Sequence, residues 1–578
     1  MQARERIPDT LDLTDRAKLT QHYFINNPDP SQNYRPHFGG NILAAPPYYS
    51  HSEWDFGDVS GRFVEGFILN RIMVGDGEGM DVEKGVRDFM LSLFREDGLS
   101  YRGYIKGLDP AKVGDMYLWD QGRVLYGLVT WFLKEEDARI EKYIQGMLEG
   151  LKKVTLYEDD YAYFPYEAMY EGKYVQPRYN YWGDMSQSLW AATGQPIEPL
   201  VRYYEAKGNE EALDFAGKLV RGLLKAPIHF FEPSGAFSLH KEPFHFAFHV
   251  HSHTAALIGL LRYAIVTGDE ELIGLGQRAY DWIKKHSSTS FGWTCEHYPY
   301  TTLQRDHQEV CCMTDVLNLA VLLAEAGYEH YWNDVERISR NHLVESQITS
   351  TEIYEPILVT FKHEIRKIQP EQGWHSYDNI LERMVGATPG SGSANELFTT
   401  GGFGASGCCS PHMNKGFYLT WSHIITRKPG RIRVNLSLNF NSPWVEVHSF
   451  RPYQGKVEVI LKKEAALSVR IPDWVDKWDV KVSVNGEEAP FKWEGDYVRL
   501  EKVHKGQKVT VEYPLRKEWI REDVGTASFD FRWRGDTVIE IKPKGRIVPL
   551  YDRAHMDCDE IPFRDQPLRC APEDFHLW

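Results

Sequence analysis

The sequence repeats itself with a period of about 60 residues. The segment GRFVEGF at residues 61–67 resembles GRVLYGL at residues 122–128, and each copy follows a Trp-Asp pair. The segment LVRYY at residues 200–204 recurs as LLRYA at residues 260–264, a shift of 60. Each unit joins an almost wholly apolar helix, ending near a glycine, to an amphipathic helix. The repeat therefore predicts one helical hairpin per unit, with the apolar helix buried.

The number of apolar helices predicts how the hairpins assemble. These helices start near residues 61, 122, 195, 254, 314 and 414, which gives six hairpins. Helices that are apolar all round bury one another if the hairpins close into a ring, whereas an open solenoid needs polar end caps that the sequence does not show. We therefore predict an (α/α)6 barrel over residues 51–428, preceded by an irregular lead-in at residues 1–50.

A second pattern begins after the barrel. From residue 429 the apolar residues alternate with polar ones, as at 456–460 and 467–471, and Asn485-Gly486 is a two-residue hairpin turn. Short strands with one buried face predict an antiparallel β-sandwich over residues 429–545, and a loop-like tail at 546–578 is expected to pack on the barrel. The fold class is therefore mainly α with a β domain, and 578 residues suffice for two such units.

Composition excludes several classes of partner. The net charge is -16 and the basic residues are scattered, so neither nucleic acid nor an anionic membrane surface is expected to bind. No apolar run is long enough to cross a bilayer, and the N-terminus lacks an apolar signal segment, so a cytoplasmic location is expected. The aromatic content of 13% suits the mixed apolar and hydroxyl faces of a sugar. The oligomeric state stays open, a homo-oligomer included.

Four of the seven cysteines stand in two adjacent pairs, Cys311-Cys312 and Cys408-Cys409, and Glu309 precedes the first pair. Each pair lies just before an apolar helix, and the inner helices of such a barrel point the same way, so both pairs are expected at one rim. The positive ends of helices favour thiolates there. Thiolates and a carboxylate make a tetrahedral zinc set. A closed structural zinc site and ordinary buried cysteines are the alternatives, and Cys312 is expected to face the core.

These residues resemble a known family. A Glu-x-Cys motif at 309–311, followed by a Gly-Cys-Cys segment at 407–409 on a six-hairpin barrel with a β-sandwich after it, is similar to glycoside hydrolase family 127 (GH127). This is the β-L-arabinofuranosidase family that uses a cysteine nucleophile. The segments FHVHSH at 248–253 and RIPDW at 470–474 add to the resemblance, which covers most of the chain.

The resemblance implies a catalytic set. It makes Glu309, Cys311, Cys408 and Cys409 the ligands of Zn²⁺, with Cys408 also the nucleophile of a retaining exo-glycosidase. It implies a second glutamate as general acid and base, for which Glu296 is the best match. The substrate is then an oligosaccharide or glycoside, such as a β-L-arabinofuranoside or a related plant-derived sugar. The SPH sequence at 410–412 departs from the Pro-Pro of the family and leaves the sugar open.

Other polar residues near predicted helix starts are expected to line the substrate pocket. They are Asp58, Asp120, Trp182, Asp184, Gln195, His251 and His253.

Two further functions are compatible with the sequence. The same barrel hosts inverting hydrolases, lyases or epimerases that use paired carboxylates, here Asp120 with Asp184. A non-catalytic carbohydrate-binding protein with a structural zinc is the other. Product stereochemistry separates the first from the cysteine route, because inversion excludes a covalent intermediate.

Overall fold

The computed structural model describes residues 6–103, 107, 109–166, 168–175, 192–226, 230–238, 248–298, 307–399 and 403–577. Two of the expected substrate-binding residues, Trp182 and Asp184, lie outside the described residues. Within the described part, no helix is both long and apolar enough to span a membrane.

Twelve of the described helices build the barrel. In chain order they are α1 (Leu13–Asn26), α2 (Asp58–Val74), α3 (Met80–Ser92), α4 (Leu118–Glu135), α5 (Ala138–Val154), α6 (Ile197–Lys207), α7 (Glu210–Lys225), α8 (Val250–Thr267), α9 (Glu270–His286), α10 (Val310–Glu325), α11 (Trp332–Ile338) and α12 (Cys409–Ser422). Shorter helices are Pro110–Val113, Tyr354–Thr360 and Ile380–Arg383.

Six helices form a closed inner ring. Helices α2, α4, α6, α8, α10 and α12 each pack on the next, and α12 returns to α2. All fourteen residues of α12 are buried, as is every residue of α10 except the last. A helix enclosed on all sides must be apolar all round, which is the pattern that the repeat shows. The ring confirms the predicted (α/α) barrel.

The repeat also contains the turn between inner and outer helices. Gly208 and Gly268 end α6 and α8 with positive φ angles of 66° and 69°, a conformation that glycine adopts without strain. The next residues, Asn209 and Asp269, accept hydrogen bonds from backbone N–H groups in the first turns of α7 and α9. A glycine followed by Asn or Asp therefore ends one helix and starts the next.

The N-terminal segment differs from the expected irregular lead-in. Helix α1 packs on both α2 and α12 and so serves as the outer helix beside the last inner one. Asp12 caps it, and its buried face includes Leu13, Ala17 and Phe24. Thr20 and Gln21 are buried on the same side, so the buried stripe is partly polar. This polarity hides the helical period from a count of apolar residues.

The β domain contains three sheets. Its strands are β1 (Ile425–Lys428), β2 (Arg431–Val434), β3 (Phe440–Asn441), β4 (Val445–Ser449), β5 (Lys456–Leu461), β6 (Ala465–Arg470), β7 (Lys481–Val484), β8 (Glu487–Glu488), β9 (Lys492–Glu494), β10 (Tyr497–Val503), β11 (Lys508–Glu512), β12 (Lys517–Val524), β13 (Ala527–Arg534) and β14 (Thr537–Lys542). A five-stranded sheet has the order β1-β2-β6-β10-β9, a six-stranded sheet β3-β4-β5-β11-β7-β8, and a three-stranded sheet β12-β13-β14.

The alternating strands predicted from the sequence are present. Along β5 every second residue is buried. One pair departs from the expected antiparallel arrangement, since β2 and β6 run parallel. These two strands are separated in the chain by β3, β4 and β5, which belong to the other sheet, and this long crossover permits parallel pairing.

The C-terminal tail contacts the barrel. The Tyr551 hydroxyl lies 2.7 Å from His342 Nδ1, and the Phe575 carbonyl accepts a hydrogen bond of 2.8 Å from the Tyr418 hydroxyl in α12. Near the other end of the chain, residues Ile7–Pro8 pair with Phe563–Arg564.

Buried charges join the barrel to the β domain. Glu336 of α11 is fully buried and accepts hydrogen bonds from Arg340, Arg451 and Arg470. Asp536, in the turn before β14, also pairs with Arg451. Because two of these arginines belong to the β domain, the network fixes one unit to the other.

Candidate active site

The two cysteine pairs meet where α10 and α12 begin. The donor atoms of Glu309, Cys311, Cys408 and Cys409 all lie within 4.8 Å of one another. The Sγ atom of Cys409 is 3.3 Å from that of Cys311, 3.7 Å from that of Cys408, and 3.7 Å from Glu309 Oε1. The structure thus brings together the four side chains that the sequence predicts as metal ligands.

The cluster fits a zinc ion. With Zn–S bonds of about 2.3 Å, tetrahedral coordination places two sulfur atoms about 3.8 Å apart. The measured separations of 3.3 and 3.7 Å are close to this spacing. Three soft thiol ligands and one carboxylate form a donor set that zinc favours. Cys311 and Cys409 are buried, whereas Cys408 is half-buried and is the most exposed cysteine of the cluster.

Glu309 is oriented by two neighbours. Its Oε2 atom lies 2.6 Å from His249 Nε2 and accepts a hydrogen bond of 3.2 Å from the Cys312 thiol. Burial opposes ionisation, but His249 holds the pKa of Glu309 well below its usual range. Cys312 is buried as expected, and it also supports the carboxylate.

Cys408 differs electrostatically from the other cysteines. Hydrogen bonds from Cys311 and Cys409 and the nearby Arg62 guanidinium lower the pKa of Cys408 well below its usual value. Burial and the adjacent sulfur atoms raise the pKa of Cys311 well above its usual value. The Cys408 thiol therefore ionises more readily than the Cys311 thiol, and a nucleophilic cysteine has to be a thiolate.

Glu296 reaches the same region through a short strand pair. Residues Phe248–His249 pair antiparallel with His297–Tyr298, which sets His249 opposite His297 and the neighbouring Glu296 close to Glu309. The Glu296 carboxylate is 22% exposed, and its Oε2 lies 3.8 Å from His307 Nε2. Burial, reinforced by the negative charge of Glu309, raises the pKa of Glu296 to about 8. A carboxyl group with this pKa is protonated at neutral pH.

Solved structures share this fold. A GH127 β-L-arabinofuranosidase from Geobacillus stearothermophilus T6 is 15% identical with a TM-score of 0.60, covering 92% of this chain and 85% of that one. A GH127 β-arabinofuranosidase is 14% identical with a TM-score of 0.56, covering 91% and 79%. A third structure, described as a glycoside hydrolase, is 14% identical with a TM-score of 0.53, covering 88% and 84%.

The sequence itself matches one family model. Residues 430–515, from β2 to just beyond β11, match the middle domain of the GH127 β-L-arabinofuranosidases. Over this stretch the chain resembles GH127. The enzyme class predicted from the sequence, a glycoside hydrolase, accords with this family. Among curated proteins, none matches the sequence.

Two carboxylates expected to bind substrate are bonded to protein groups. Asp58 Oδ1 accepts hydrogen bonds from Arg62 Nε at 2.9 Å and Trp119 Nε1 at 2.8 Å. Both Asp120 oxygens accept from Arg102, at 2.7 and 2.9 Å. Both aspartates are buried, and these bonds fix the first turns of α2 and α4.

The two expected histidines lie in the first turn of α8. His251 is buried, with Nδ1 2.6 Å from Asp315 Oδ2 and Nε2 2.7 Å from Arg123 Nη2, so both its ring nitrogens contact protein groups. His253 is also buried, and its ring stacks on Phe237 with the centroids 4.6 Å apart.

Gln195 has a different environment. It lies two residues before α6, is 1% exposed, and neither atom of its side-chain amide has a hydrogen-bond partner in the described residues. A buried amide normally pairs with protein, water or ligand. Gln195 is thus equipped for an external partner in a way that Asp58 and Asp120 are not.

Several residues of the site were not predicted. Arg62, His249, Asp315 and His412 contact the cysteine cluster or one another. A signal was present, because the repeated GR pair places Arg62 and Arg123 at the start of two apolar helices, where a buried charge needs a partner.

Proposed function

We propose that this protein is a GH127-like retaining exo-glycoside hydrolase that acts on a β-L-arabinofuranoside or a related plant-derived sugar. The observation that carries the proposal is the position of Cys408, the most exposed cysteine of a cluster in which the donor atoms of Glu309 and three cysteines lie within 4.8 Å of one another. The match of residues 430–515 to the middle domain of the GH127 β-L-arabinofuranosidases supports the substrate class.

In this proposal Glu309, Cys311, Cys408 and Cys409 hold Zn²⁺. The ion, when bound, stabilises the negative charge of the thiolates and so keeps Cys408 deprotonated at neutral pH. His249 and Cys312 hold Glu309 in position as a ligand.

Cys408 and Glu296 divide the chemistry between them. The Cys408 sulfur attacks the anomeric carbon as the bond to the leaving oxygen breaks, and the protonated Glu296 carboxyl gives that oxygen its proton. The sugar is then bound to sulfur. In the second step Glu296, now a carboxylate, takes a proton from water, whose oxygen displaces Cys408 from the anomeric carbon. Two inversions leave the product with the starting configuration.

Gln195 supports recognition of a sugar. Its amide offers two donors and an acceptor, a combination that suits hydroxyl groups, which both donate and accept. The contacts of Asp120 with Arg102 argue against the alternative in which Asp120 acts as a catalytic carboxylate, because both its oxygens are already occupied.

Hydrolysis of aryl glycosides by Cys408→Ser tests the proposal. We expect turnover of an aryl β-L-arabinofuranoside to fall at least about 1,000-fold, because a hydroxyl is a far weaker nucleophile than a thiolate. Cys570→Ser, at an exposed cysteine outside the cluster, is the control and should retain parental turnover. Proton NMR of the first product should show a retained anomer. Inverted product, or full activity of Cys408→Ser, contradicts the proposal.

A further inference from the structure

The Arg62 guanidinium contacts the cysteine cluster. It is 3% exposed, and its Nη1 atom is 3.6 Å from Cys311 Sγ and 3.4 Å from the carbonyl oxygen of Cys408. Its Nε atom donates to Asp58, one turn earlier in α2. One side chain thus contacts both halves of the cluster, which α10 and α12 carry separately.

Two histidines complete the contacts of Arg62. Nη1 lies 3.3 Å from His412 Nδ1, and Nη2 lies 3.0 Å from His251 Nε2. An arginine only donates hydrogen bonds, so these two ring nitrogens must accept. The remaining nitrogens, His412 Nε2 and His251 Nδ1, then carry the protons.

The Asp315 carboxylate accepts a hydrogen bond from each of these two N–H groups. Its Oδ1 atom lies 2.8 Å from His412 Nε2, and its Oδ2 atom lies 2.6 Å from His251 Nδ1. Asp315 lies one turn after Cys311 on α10. The hydrogen bonds that run from Arg62 through the two histidines to Asp315 therefore end on the helix that carries Cys311, a proposed metal ligand. In this network of hydrogen bonds each nitrogen or oxygen atom has a fixed role as donor or acceptor. The network therefore holds the Arg62 side chain in one orientation.

We propose that Arg62 is a positioning residue of the metal centre, which holds Cys311 and the peptide of Cys408 in register and balances the charge of the loaded cluster. The inference rests on the proposed zinc site. Three thiolates and one carboxylate carry four negative charges against the two positive charges of Zn²⁺. A buried site with this excess needs a nearby cation, because an uncompensated buried charge is costly. Among the described residues, Arg62 places a cation in contact with a cluster sulfur, and its Nε atom pairs with Asp58.

Zinc affinity of full-length variants tests this role without a glycosidase assay. Competition against a chromophoric chelator should show Arg62→Met binding Zn²⁺ about 10- to 100-fold more weakly than the parent, with Arg62→Lys in between because it keeps the charge but not the fork of contacts. Arg202→Met, which removes an equally buried arginine paired with Glu198 on α6, is the control and should bind Zn²⁺ like the parent.

Kinetics give a second readout. Arg62 does not reach the substrate in this proposal, so kcat of Arg62→Lys should fall while KM stays within about twofold of the parent. Asp315→Asn, which removes the acceptor of one histidine proton, should weaken Zn²⁺ binding in the same direction and serves if Arg62→Met does not fold.

The outcomes separate the two proposals. Parental zinc affinity in folded Arg62→Met, or in both Arg62→Lys and Asp315→Asn, overturns the role of Arg62 and leaves the hydrolase proposal standing. Weakened zinc binding in these variants, with no glycoside hydrolysed by the parent, supports Arg62 and overturns the hydrolase. A parent that binds no Zn²⁺ overturns both.

Discussion

At the scale of single residues, Glu296 and Glu309 show how two nearby carboxyl groups take different roles. Glu309 faces His249 and is held ionised, as a metal ligand requires, whereas burial and the charge of Glu309 keep Glu296 protonated. The position of each group, more than its chemical type, decides which one donates a proton.

Glu296 predicts the alkaline limb of the pH profile. Its pKa is raised to about 8, so the protonated acid is present below that pH and is lost as the pH rises through it. We expect kcat/KM to decline above about pH 8 in the parent, and kcat of Glu296→Gln to fall by about 100- to 10,000-fold with natural leaving groups. On an aryl glycoside whose phenol leaves without protonation, kcat of Glu296→Gln should fall much less. Parental kcat in Glu296→Gln on both substrates would exclude this role, and Glu271→Gln, on the first turn of α9, is the control.

The side-chain amide of Gln195 is expected to contribute to substrate binding. Gln195→Leu removes the unpaired amide at similar size, and loss of one or two hydrogen bonds to sugar hydroxyls should raise KM about 5- to 10-fold with little change in kcat. Gln145→Leu, at an exposed position of the outer helix α5, controls for the substitution itself. Initial-rate kinetics check the prediction, and an unchanged KM in Gln195→Leu removes this residue from the substrate site.

The sequence pattern pointed to the proposed metal ligands more readily than to the residues that hydrogen-bond around them. Cys311 and Cys408 stand out because cysteine pairs are rare and both precede apolar helices. Asp315 and His412 lie within those helices as single polar residues, and their shared hydrogen bonds arise only when α10 meets α12. Contacts between residues about a hundred positions apart depend on how the ring closes, which no local pattern records.

At the scale of elements, the helix caps in the hairpin turns are expected to contribute measurably to the free energy of unfolding. The Asp269 side chain accepts a hydrogen bond of 3.1 Å from the Leu272 N–H group at the start of α9. Asp269→Ala leaves that group without its cap and should lower the free energy of unfolding by about 1 kcal/mol. Urea denaturation followed by circular dichroism measures it. Asp269→Asn keeps an acceptor and should stay near the parent, so an equal loss in both variants would refute the capping role.

The inner helices and most strands of the sandwich follow from the sequence because each repeats a period that burial imposes. Helix α1 does not. In α1 the polar Thr20 and Gln21 are buried because they bond to other segments, with Gln347 Nε2 3.0 Å from Thr20 Oγ1 and Gln21 Nε2 2.6 Å from Asp76 Oδ1. Such long-range partners make a polar residue fit an interior that its type alone does not predict.

At the scale of the whole molecule, the barrel and β domain depend on each other through Glu336. Glu336→Gln removes the negative charge that Arg451 and Arg470 share and leaves buried cations with too few partners. We expect a loss of about 3–5 kcal/mol in the free energy of unfolding. Asp88→Asn, which breaks an exposed pair with Lys84, should cost less than about 1 kcal/mol. Urea denaturation monitored by tryptophan fluorescence compares them, and equal small losses would refute the coupling.

Closure of the ring by α12 also has a temporal consequence. The first cysteine pair is synthesised about a hundred residues before the second, and the helix that seats the second pair is the last of the ring. A nascent chain on the ribosome therefore carries half of the proposed metal site and cannot complete it until α12 has emerged and packed on α1, α2 and α10. If the four residues bind zinc as proposed, metal capture follows closure of the barrel, because a chain stalled before residue 408 presents only Glu309 and Cys311 of the four proposed ligands.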